Sequence, residues 1–145
     1  MSEANPLNSH NLHSAQPPLR KECPPGACDC ERERLLADPQ ADQRVLRLTK
    51  EEEKRLIERI EAIASHAELM RVGRRLQEQL GVSLSIAPGT NEVRTMRGFV
   101  IQLGQRPGLC RKTRQAVPAA VRRCLERHPE IAFAILNAND LLGAS

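Results

Sequence analysis

Beyond residue 44, apolar positions recur at spacings that change along the chain, and each change predicts an element. In "LTKEEEKRLIERIEAIA", Leu56, Ile60 and Ile63 follow the period of one helix face, with Ile57 and Ala64 beside them. Thr49 is placed as N-cap, and Glu52 three residues on completes a capping box. Glu51, Glu52 and Glu53 crowd the end where the helix dipole is positive. "SHAELMRVGRRLQEQLG" repeats the device: Ser65 and Glu68 form a second box, Leu69, Val72, Leu76 and Leu80 share a face, and Gly81 fits a left-handed C-cap. Almost no loop separates these two helices, and both are expected to pack on the same surface.

The period then shortens to two. "VSLSI" sets Val82, Leu84 and Ile86 on one side, and "EVRTMRGFVIQL" does the same with Phe99, Ile101 and Leu103. "APGTN" between them is turn chemistry, so the two strands read as an antiparallel hairpin. "GQRPGLCRKTRQ" reads as a cationic loop. In "AVPAAVRRCLERH" the helical period returns: Val117, Ala120, Val121, Cys124, Leu125 and His128 form a stripe, with Pro118 expected in the first turn and Pro129 as the stop. "EIAFAIL" is apolar on both faces, as a covered central strand would be, and Asn139 is placed to cap a short last helix. The expected fold is a small α+β domain of order ααββαβ: helix pair, β-hairpin, amphipathic helix, central strand.

Residues 1–43 lack this periodicity. Their Pro, Ser, Asn and acidic content predicts a mostly disordered arm, with residues 44–145 as the folded domain. Within the arm, "CERERLLAD" could form a helical turn or two, ended at Asp38-Pro39. The chain has two Phe and neither Tyr nor Trp, so its core must be aliphatic. No apolar run approaches the roughly 20 residues of a membrane helix, and the N-terminus lacks the pattern of a secretory signal. A reducing cytoplasm is the expected setting, with the five cysteines as thiols or metal ligands.

Charge divides the chain. Residues 93–128 hold nine cations and a single acid, Glu126, whereas the first 43 residues hold seven acids and four cations. Arg111, Lys112 and Arg114 precede the expected helix; Arg122, Arg123 and Arg127 lie on its polar side; Arg94 and Arg97 on the hairpin could extend the patch. Such a surface suits the phosphates of RNA, DNA or another polyanion. Without exposed aromatic rings to stack on bases, binding would be phosphate-led and weakly sequence-specific. The opposing consideration is that arginine, at 18 residues against four lysines, also serves as this chain's general solubilising cation.

"CPPGACDC" is the second candidate site. Cys23, Cys28 and Cys30 are spaced C-x4-C-x-C around a proline–glycine bend. Thiolates suit zinc or an iron–sulfur cluster. Three leave such a site one ligand short, and His10, His13 and Cys110 are the candidates for the fourth. For redox chemistry, Asp29 and Glu31 beside Cys28 and Cys30 would raise their pKa values, which makes Cys110, followed by three cations, the better candidate. Cys124 is expected to pack as a small hydrophobe. Nucleotide-binding, zincin and nucleophile-elbow motifs are missing, so no enzymatic activity is expected. The leading expectation is a non-enzymatic polyanion-binding protein. The alternatives are a metal or iron–sulfur protein whose basic face docks an acidic partner, and an adaptor binding a protein through its helix pair.

Overall fold

A computed structural model describes residues 19–24, 26–89 and 98–143. It is a helix-dominated α+β domain. Helix α1 (Arg32–Ala37) is followed by a 3-10 turn at Arg44–Arg47, then α2 (Lys50–Glu61) and α3 (His66–Leu80). Strands β1 (Leu84–Pro88) and β2 (Phe99–Leu103) come next, then α4 (Arg111–Arg127) and α5 (Pro129–Gly143).

The capping signals act as expected. The Glu52 amide donates to Thr49 Oγ1 at 3.2 Å, and the Glu68 amide to Ser65 Oγ at 3.2 Å. The Glu68 carboxylate reaches back to the Ala64 amide at 2.8 Å, which fixes the link between the two helices. Ile60 of α2 and Leu69, Val72 and Leu76 of α3 enter one core cluster, but the two helices meet different neighbours. Helix α2 lies along α4, while α3 packs on the 3-10 turn, β1 and α5, and a groove opens between the pair. The strands pair antiparallel, with Ile86 opposite Ile101 and Leu84 opposite Leu103. Along β2, Phe99, Ile101 and Leu103 face inward and Val100 and Gln102 outward, the alternation a one-sided hairpin requires.

Helix α4 is the spine. Val117, Ala120, Val121, Cys124 and Leu125 are fully buried against Ile60, Ile63 and β2. The helix begins at Arg111, earlier than expected, because Thr113 continues the apolar stripe four residues upstream of Val117 and is itself buried. Pro118 therefore lies inside the helix rather than in its first turn, and its missing N–H leaves the Arg114 carbonyl without the usual donor.

The last expected strand is a helix. Pro129 occupies the first position of α5, where its fixed φ suits a helix start. Ile131, Ala132, Ile135 and Leu136 then recur at helical spacing and are buried against β1 and α4, while Phe133 is left 60 % exposed. A run apolar on both faces carries no period that would separate strand from helix.

The segment expected as a loose arm carries ordered structure from Leu19 on. Leu35 of α1 joins the aliphatic core, and the Arg20 amide donates to the Leu46 carbonyl at 2.7 Å. Gly108 makes this docking possible. Its φ is +92°, and a Cβ there would drive into Leu35 and Val45. Its amide donates to the Cys30 carbonyl at 2.5 Å. Among the described residues, no helix is long and apolar enough to cross a membrane.

Candidate metal centre

Cys23, Cys28, Cys30 and Cys110 converge on one point, each sulfur within 4.8 Å of the others. Three segments deliver them. A turn closed by the Ala27 amide on the Pro24 carbonyl, with Gly26 at φ +77°, folds Cys23 back toward Cys28. The Cys28–Cys30 stretch is held over the start of α4 by Asp29, whose carboxylate meets Arg114 at 3.1 Å and Arg111 at 3.9 Å. Cys110 is the N-cap residue of α4 and lies 3.6 Å from Cys23, sulfur to sulfur. Of the three candidates for a fourth ligand, Cys110 is the one brought to the cluster; His10 and His13 lie outside the described residues.

The environment acts in opposite directions on the cluster's thiols. Helix α4 has no side-chain cap and no acid in its first turn, so its free amides face the cysteines. Burial pushes the Cys28 thiol up, but the Arg111 amide and hydrogen bonds from Cys30 and Cys110 outweigh it and hold Cys28 at about 7. Cys110 is pushed up by burial and by its contact with Cys23, and Cys23 by burial. The order expected from neighbouring charges is thus reversed: a helix N-terminus counts for more at Cys28 than exposed Asp29 and Glu31, and depth counts for more at Cys110 than the cations that follow it.

Arg20, which the sequence did not single out, closes the site from below. It is 7 % exposed and pairs with no carboxylate among the described residues. Its guanidinium donates to the Gly108 carbonyl at 2.6 Å and to Cys30 Sγ at 3.2 Å. A guanidinium cannot shed its proton, so a buried one needs an anion beside it.

The basic residues are dispersed. Arg123 pairs with Glu61 at 2.7 Å, Arg127 donates to the Glu61 carbonyl and Arg122 to the Phe99 carbonyl. Arg111 and Arg114 face Asp29, and Lys112 is exposed. Arg94 and Arg97 lie outside the described residues. Cys124 is fully buried with its sulfur 3.6 Å from the Ile63 carbonyl, far from chemistry and matching its packing role. No protein-family model matches the chain, and comparison with curated proteins and with solved structures finds no match.

Proposed function

We propose that this chain is a zinc protein whose single ion is held by Cys23, Cys28, Cys30 and Cys110 and serves to fasten residues 19–30 onto the start of α4. The observation that carries the reading is the convergence of four sulfurs within 4.8 Å. A tetrahedral zinc with Zn–S bonds of about 2.3 Å sets its sulfurs about 3.8 Å apart, close to the 3.6 Å between Cys23 and Cys110. Iron–sulfur clusters bind their thiolates to different irons and so spread them wider, which makes one ion the better fit. Four protein ligands leave no open position for a substrate, as in structural rather than catalytic zinc sites. Arg20 offsets part of the negative charge that four thiolates bring to one ion. A reducing compartment such as the cytoplasm is the consistent setting for such ligands.

Full-length protein purified anaerobically without an affinity tag should carry one zinc per chain, and Cys28→Ser should lower that content sharply. An iron-bearing, coloured preparation would keep the ligands and replace the ion. Metal-free protein with all four thiols titratable would overturn the reading. Polyanion binding through Arg111, Lys112, Arg122 and Arg123 is a separate proposal that rests on charge. It requires Arg111 and Arg123 to exchange Asp29 and Glu61 for phosphate, and it predicts salt-dependent binding of nucleic acid by the same preparation.

A further inference from the structure

The groove between α2 and α3 has a volume of about 550 Å³, and the core residues Val72 and Leu76 form part of its lining. Its floor includes Leu56 and Leu80, both only partly covered by the rest of the chain, with buried Leu76 beneath them. Its rim carries four arginines against two glutamates. Arg55 is engaged by Glu52 at 2.7 Å. Arg47, Arg59 and Arg75 are exposed and meet no carboxylate among the described residues. Arg59 rises from one wall and Arg75 from the other, so the free cations flank the apolar strip on both sides.

We infer that this groove is the docking site for an acidic amphipathic helix of a partner protein. The shape is that of helix-in-groove recognition: two helices form the walls, and the partly buried Leu56 and Leu80 offer the apolar strip that side chains at helical spacing would cover. Charge selects the partner. Carboxylates on the flanks of the incoming helix would meet Arg59 on one side and Arg75 on the other, while its leucine-type residues cover Leu56 and Leu80. A nucleic acid would use the arginines but leave the leucines exposed.

The test titrates the full chain, as purified, with a synthetic helical peptide that carries leucine at i, i+3, i+4 and i+7 and glutamate on both flanks. Nuclear magnetic resonance shifts should concentrate at Leu56, Leu76 and Leu80. Binding should weaken roughly tenfold or more in Arg59→Glu/Arg75→Glu, with a smaller loss in Arg59→Gln/Arg75→Gln, which reverses no charge. Thermal melts of both variants should match the parent. The inference fails if millimolar peptide moves no groove signals, or if the same peptide flanked by lysine binds as well. It also fails if the charge-neutralised variant binds like the parent, or if an RNA oligonucleotide moves the groove signals and the peptide does not.

Discussion

Two ends of this domain are held together by different physics. Around the middle of α4, Val117, Val121, Cys124 and Leu125 are fully buried among Ile60, Ile63 and Phe99, a close-packed aliphatic interior. At the N-terminus of the same helix, residues 19–30 are joined to the preceding loop by the hydrogen bonds of Arg20 and Cys30 with Gly108, and to the helix start by ion pairs of exposed Asp29 and by the convergence of Cys110 with the other three sulfurs. The first region draws its stability from area removed from water. The second has little apolar area to bury, and exposed ion pairs contribute at most about 1 kcal/mol each, so on the proposed zinc reading it would depend on the ion. One helix therefore links a core that folds by packing to an end where four cysteines converge, which on the proposed zinc reading the ion would complete.

The sharpest way to break the comparison is to damage one end and read the other. Leu125→Ala leaves a cavity in the fully buried stripe and should cost about 2–5 kcal/mol in chemical denaturation. The sulfurs stand at the opposite end of α4, so metal stoichiometry of the folded fraction should not change. If metal is lost in step with stability, the two ends are a single cooperative unit.

A chain beginning at Arg44 makes the reciprocal cut. It removes Cys23, Cys28, Cys30 and Arg20 and takes Leu35 from the core. The remaining core keeps α2 through α5, so unfolding should stay cooperative. Losing the burial of one leucine costs about 2 kcal/mol, which lowers the midpoint of a domain this size by roughly 8–16 °C. Metal binding should vanish. An unfolded product would mean that the sulfur end nucleates the domain rather than finishing it.

How much of this could be read along the chain follows the same division. Short-range chemistry was plain: Thr49 with Glu52, Ser65 with Glu68 and Gly81 mark helix ends because capping acts within four residues. The stripe of α4 was equally plain, because period reveals a face. Residues 131–136 defeated the same method, since burial on both sides erases the period; Pro129 does end α4 as expected, but it also opens the next helix. Three of the four converging cysteines were legible as a cluster. The fourth, Cys110, was one name among three, because eighty residues separate it from Cys30 and only the folded topology brings it back. Arg20 gave no local signal at all: its significance is that it is buried without a carboxylate, which a sequence does not display.

The smallest expected effect sits at the seam between the two regions. Asp42 accepts from Arg44 at 2.8 Å and pairs with Arg106 at 3.2 Å. Arg44 donates in turn to the Glu78 carbonyl at 2.7 Å, and Arg106 to the Gly81 carbonyl. The two guanidiniums thus satisfy the last carbonyls of α3 and tie that helix to the loop leading to Cys110. The hydrogen bond from Arg44 holds the Asp42 carboxyl well below the usual carboxylate range, against the opposing effect of burial, with the Arg106 charge adding to it. A depressed value means that ionised Asp42 favours the folded state. That contribution is fully present above the ordinary carboxylate pKa of about 3.9 and fades as pH falls toward the folded value. With its side chain 35 % exposed, the effect is screened, and Asp42→Asn should cost no more than about 1 kcal/mol at neutral pH. Denaturation curves of parent and variant should stay separated between pH 5 and 8, within the plateau set by that pKa of about 3.9, and converge below about pH 4. A gap that persists or widens in acid would show that Asp42 acts through its backbone contact with Arg44 rather than through its charge.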